Sequence, residues 1–204
     1  TEVPGWLEVA AVLTSFGSTI LFVFERRQCY LWGVVTTLLY AMLFLNYQLL
    51  GSSIIQLYLM GALVYGYFRW GRDSDTRPVT KVRPLRWWGM YAIVTLSTWS
   101  GAVLISESLG NPVPLWDSAI LALSILAQWL LDNKKVETWF VWVVINVIAV
   151  PLYWSQGLSL VAVQYVVFLI NAFYGWYVWT KSMQRSQFEY GVKLFLKDTE
   201  DMFE

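Results

Sequence analysis

Apolar residues in this chain gather into long runs with no alternation of faces. Seven runs stand out, over residues 6–24, 29–46, 52–70, 86–105, 116–131, 136–154 and 158–179. Each is close to the ~20 residues that cross a hydrocarbon layer of about 30 Å. Backbone N–H and C=O groups in hydrocarbon must be satisfied within their own segment, so these runs predict helices and not open strands. The connectors are short except for 71–85 and 106–115, which contain proline and charge. Such residues end helices and keep backbone in water. The pattern predicts an all-α integral membrane protein with seven transmembrane helices in a single membrane domain, 1–204.

Composition sharpens this. Charged residues are 14% and the apolar and aromatic set 57%, with a mean hydropathy of +0.51. A soluble domain carries roughly 25% charge. The net charge of zero conceals an asymmetry. If the N-terminus begins on one side, Arg26 and Arg27, then Arg69, Arg72, Arg77, Lys81, Arg83 and Arg86, then Lys134 and Lys135, and finally Lys181, Arg185, Lys193 and Lys197 all fall on the other. Those are all the basic residues. Lys and Arg in short loops stay in the cytoplasm, which predicts the N-terminus outside and 180–204 as a cytoplasmic tail. No basic leader with a small-residue cleavage site precedes the first run, so no removable signal peptide is expected.

An internal repeat is legible. Gln48 and Gln56 lie eight apart, as do Gln156 and Gln164. Tyr65-Gly66-Tyr67-Phe68-Arg69-Trp70 is echoed by Tyr174-Gly175-Trp176-Tyr177-Val178-Trp179. The second and sixth spans each open with a charged turn and a tryptophan, Trp32 or Trp142, followed four residues on by Thr36 or Asn146. Equivalent spans are four apart and point the same way, so the repeat is parallel. It predicts a first three-helix bundle (6–70), a linker helix (86–105) and a second bundle (116–179), an architecture in which sites lie at the repeat interface.

Polar side chains inside the membrane are costly without a partner or a cavity. On the sixth span Trp139, Trp142 and Asn146 fall at i, i+3 and i+7, one helical face. Asp117, Ser124 and Gln128 form a stripe on the fifth span, Gln164 and Asn171 on the seventh, and Gln56 on the third matches Gln164. Together they predict a polar, aromatic-lined cavity for a small solute. Each has a plainer reading: Asn and Gln can bind helices together, Ser124 can bond its own helix backbone, and Asp117 can serve the helix dipole. Trp87, Trp88, Trp154 and Trp179 read as interfacial anchors. Enzyme chemistry has little support. Histidine is absent and Cys29 is the sole cysteine, which removes the usual metal ligands and proton shuttle. There is no phosphate-cradling glycine loop, and nothing suggests nucleic acid or a cofactor.

Trp116-Asp117-Ser118, Leu123-Ser124-Ile125, Glu137-x-Trp139-x-x-Trp142, Ile145-Asn146-Val147-Ile148 and the following Gln156-Gly157 resemble the PnuC family of bacterial nicotinamide riboside transporters. The resemblance covers essentially the whole chain and is most specific in the last three spans. It implies a fold related to the SWEET sugar transporters and passive uptake of nicotinamide riboside across the inner membrane, trapped by a cytoplasmic kinase that phosphorylates it. It assigns Trp139, Trp142 and Asn146 to the substrate site, with Gln164 and Asp117 beside them. Relatives in the family move thiamin or riboflavin, and a non-transporting sensor or helper subunit is the alternative from another class. Partners expected are the vitamin, membrane lipids and, compatible with the sequence, a second copy in a homo-oligomer. The physics suits the ligand: tryptophan faces attract a cationic ring, and amides both donate and accept. Without histidine or paired membrane acids there is no proton relay, which predicts facilitated diffusion without ion coupling.

Overall fold

A computed structural model of the chain describes residues 5–46, 50–70, 78–82, 86–108, 114–155 and 159–201. Among these are seven α-helices: α1 (Gly5–Val23), α2 (Gln28–Asn46), α3 (Leu50–Arg69), α4 (Arg86–Ser108), α5 (Pro114–Asp132), α6 (Thr138–Ser155) and α7 (Ser159–Asp201). Their positions match the seven apolar runs. α4 and α5 have the length and apolar content of membrane spans. Leu13, Ile20, Ile93, Leu104 and Ile170 point outward, as suits a hydrocarbon surround. The seventh helix departs from expectation. It does not stop at Trp179 but continues through the basic tail for 43 residues, about 65 Å at 1.5 Å per residue. Nothing in 180–201 breaks it, since neither proline nor a terminating turn intervenes.

α1 packs on α2 and α2 on α3; α5 packs on α6 and α6 on α7. The two sets touch through α1 against α7 and α3 against α5, and α4 packs on α5. α4 has no buried residue.

The α1–α2 and α5–α6 turns share one geometry. Glu25 and Lys134, which lie 109 residues apart, both adopt left-handed backbone, with φ of 54° and 49°. Such angles are uncommon outside glycine, yet here they recur at equivalent places. Arg26 N donates to Leu21 O as Lys135 N donates to Leu130 O, and Cys29 N to Arg26 O as Thr138 N to Lys135 O. Ser18 Oγ donates to Cys29 O, while Thr138 Oγ1 donates to Ala127 O: the same contact with the donor exchanged. At this separation Tyr30, not Trp32, corresponds to Trp139, so the expected match of Trp32 with Trp142 is off by one residue. Close packing sets the register. A Cβ on Gly66 would collide with Tyr30 and with Asp132 Oδ1, and one on Gly175 would come within 2.6 Å of the Trp139 ring. The Tyr-Gly motif is where each third helix accepts an aromatic of the second.

The halves also bind each other reciprocally at the basic end. Trp70 Nε1 donates to Leu131 O, and Trp179 Nε1 donates to Phe22 O and Val23 O. Trp179 is fully buried, which corrects its reading as an interfacial anchor: its indole N–H finds carbonyls of α1 across the contact between the two helix sets. Gln48 and Gln156 of the proposed repeat lie outside the described residues.

Candidate functional site

A cavity of about 180 Å³ lies where the two helix sets meet, walled by Thr19 and Phe22 of α1, Gln128 and Leu131 of α5, Trp139, Trp142 and Asn146 of α6, and Phe168, Asn171 and Ala172 of α7. It is built by the periodicity of α6: Trp139, Trp142 and Asn146 share a face, and that face turns toward α1 and α7. Three polar atoms are buried here without a hydrogen-bond partner: Trp139 Nε1, Asn146 Oδ1 and Asn171 Nδ2. Leaving a buried polar group unpaired costs about 1–3 kcal/mol. Two donors and an acceptor without partners, all on residues that line one aromatic-walled space, are groups a polar ligand could satisfy.

Five of the residues singled out in sequence thus line one cavity: Gln128, Trp139, Trp142, Asn146 and Asn171. Four do not. Gln164 donates to Ser15 Oγ at 3.2 Å and Tyr40 Oη at 3.3 Å, tying α7 to α1 and α2 beyond the cavity. Asp117 sits in the first turn of α5; eleven residues from Gln128, it is about 16 Å away along the axis, too far to share so small a space. Ser124 and Gln56 are half-buried outside the lining. Sequence reasoning missed Phe22, Phe168 and Thr19, whose type carries no signal among so many apolar spans.

It also missed a cluster beneath the cavity. Asp132, 2% exposed, accepts from Tyr30 Oη at 2.7 Å and from Gln128 Nε2 at 2.9 Å. Below it Lys134 Nζ meets Glu25 Oε2 at 3.1 Å and lies 4.7 Å from the Trp70 ring centroid. The 78–82 segment closes over this end: Thr80 N donates to Lys134 O, Val136 N to Thr80 O, and Val82 N to Glu137 Oε1. A larger space of about 610 Å³ opens sideways between α3, α4 and α5, lined chiefly by apolar side chains such as Leu57, Ala62, Val94 and Ile125. None of the unpaired buried polar atoms lines it, so the smaller cavity is the better candidate. Among the described residues no cluster of acids and cysteines could hold a metal ion.

The chain resembles the nicotinamide riboside transporter PnuC of Escherichia coli (strain K12), with 27% identity over 205 residues, 87% of this chain and 86% of that protein. It resembles PnuC of Neisseria mucosa at 26% identity, covering 88% of this chain and 74% of that protein. The riboflavin/roseoflavin transporter RibM of Streptomyces davaonensis is 25% identical over 148 residues, 65% of each chain. Among solved structures, the crystal structure of the vitamin B3 transporter PnuC superposes with a TM-score of 0.71 at 25% identity, covering 88% of this chain and 83% of that one. The family model of the nicotinamide mononucleotide transporters matches residues 5–181, and the chain belongs to that family of membrane transporters.

Proposed function

We propose that this chain carries nicotinamide riboside across the bacterial inner membrane by facilitated diffusion. The observation that carries the reading is the cavity between the helix sets, lined with Trp142 by three residues, Trp139, Asn146 and Asn171, that each hold a buried polar atom without a partner. Nicotinamide riboside offers a flat cationic ring to the tryptophans, and hydroxyls and a carboxamide to the amides. The names of the PnuC relatives support the same ligand. At about 180 Å³ the cavity is smaller than the ~300 Å³ at which ligand pockets usually begin, so the walls part to admit a nucleoside. Two parallel three-helix bundles with α4 as linker, hinging at their shared face, would supply that motion. The recurrence of the α1–α2 turn in the α5–α6 turn supports the repeat. The basic end faces the cytoplasm, where a kinase acting on the substrate would make entry irreversible. A non-enzymatic carrier needs nothing more from the protein. RibM among the relatives supports a second reading, in which a flavin takes the aromatic site.

Purified protein in liposomes decides between them. Labelled nicotinamide riboside should enter and equilibrate without concentrating, whatever proton or sodium gradient is imposed, and riboflavin should neither enter nor compete. Accumulation above the external level would refute facilitated diffusion and point first to Asp117. Riboflavin entry alone would establish the second reading.

A further inference from the structure

Gln128 is the one residue that borders both the small polar cavity and the lateral space, and Asp132 lies one helical turn beyond it. A carboxylate only accepts hydrogen bonds, so the amide nitrogen of Gln128 faces Asp132 Oδ1 at 2.9 Å. The other end of that planar amide, Oε1, is an acceptor on a residue that lines the cavity. Tyr30 Oη fixes the same carboxylate oxygen from α2 at 2.7 Å. Gly66 makes room for both, since a Cβ there would collide with Tyr30 and with Asp132 Oδ1. The cavity lining itself holds no charged side chain. We infer that Asp132, held by Tyr30 and Gly66, is a positioning and specificity residue of the transport site: it locks Gln128 as an acceptor and supplies the negative charge that favours a cationic pyridinium ring over neutral analogues. The neighbouring Lys134 meets Glu25 at 3.1 Å and the Trp70 face, so the cluster sets two acids against one lysine.

This inference rests on nicotinamide riboside being the substrate, and one pair of probes separates the two claims. Reduced nicotinamide riboside differs from nicotinamide riboside by a hydride and has a neutral ring. Titration calorimetry on the full chain should show wild type binding the cation about tenfold more tightly, the scale of one partly screened charge. Asp132→Asn should bring the two ligands within about threefold of each other, since it removes charge while keeping shape. Gln128→Met should weaken both alike and keep their ratio, because it deletes the acceptor and leaves the charge. A wild-type ratio near one overturns the inference even if Asp132→Asn fails to fold. A ratio that survives in folded Asp132→Asn overturns it equally. Failure of wild type to bind either ligand would instead overturn the substrate, and this role for Asp132 with it.

Discussion

Asn146 is 2% exposed at the centre of α6, with its amide oxygen unpaired. A buried asparagine whose only duty was to bind helices together would have found that partner. Trp142, one turn toward the basic end, packs against both buried clusters while still bordering the cavity. An aromatic face and an amide can therefore act on one ligand from a single helix. Trp142→Ala should lose stacking and cation–π attraction of about 0.5–2 kcal/mol. Asn146→Leu should leave ligand polar groups unpaired at about 1–3 kcal/mol. Each change should weaken nicotinamide riboside binding roughly three- to a hundredfold. Trp87→Ala, on the exposed start of α4, should stay within about threefold of wild type. Calorimetry on monodisperse variants checks this. Unchanged affinity in both cavity variants would make those residues packing and nothing more.

At the scale of elements, the two left-handed turns do more than reverse the chain. They aim Glu25 and Lys134 at each other across the contact between the two helix sets, with Lys134 fully buried and Glu25 17% exposed. Trp70 and Trp179 cross the same seam in opposite directions. The basic end of the protein is therefore bridged by paired, near-symmetric contacts. Removing one partner of a buried ion pair costs about 3–5 kcal/mol, because the other is left uncompensated. Lys134→Met should lower Tm by roughly 6–20 °C at 2–4 °C per kcal/mol. The double reversal Glu25→Lys with Lys134→Glu should recover part of the loss. Arg185→Met breaks only the exposed pair with Glu189 and should leave Tm unchanged, since such pairs contribute little. Thermal melts of the four proteins measure this. A Lys134→Met variant as stable as wild type would mean the seam is not held by charge.

Across the whole molecule the cavity lies between two sets of contacts. Gln164 bridges α7 to Ser15 and Tyr40 on one side, and the aromatic and ionic seam lies on the other. The cations gather at that second end, where Arg26 and Arg27 of one turn, Lys134 and Lys135 of the other and the 78–82 segment meet. Basic residues near short loops are retained in the cytoplasm. A cysteine placed in 71–77 should therefore react with an impermeant maleimide only after cells are opened, and one placed in 47–49 should react in intact cells. Native Cys29 is fully buried and should stay silent. The reverse labelling would invert the orientation.

Seven helices, most of their ends and the one-sided basic residues were readable from the order of residues alone; the end of the seventh was not. Each follows from a local cause: run length against membrane thickness, and proline and charge at the breaks. The Trp139–Trp142–Asn146 face was readable for the same reason, since 3.6-residue periodicity needs no tertiary information. Which stripes meet was not. Gln164 and Asn171 share a face of α7, yet one binds Ser15 and Tyr40 while the other lines the cavity, because that depends on depth and on the neighbouring helix. Asp132, Glu25 and Lys134 sit at or near span ends, where nothing in the local sequence marks them for burial. The tertiary structure buries all or most of each by bringing residues about a hundred positions apart into contact. The energy of a buried charge depends on its partner across space, and the local sequence does not name that partner.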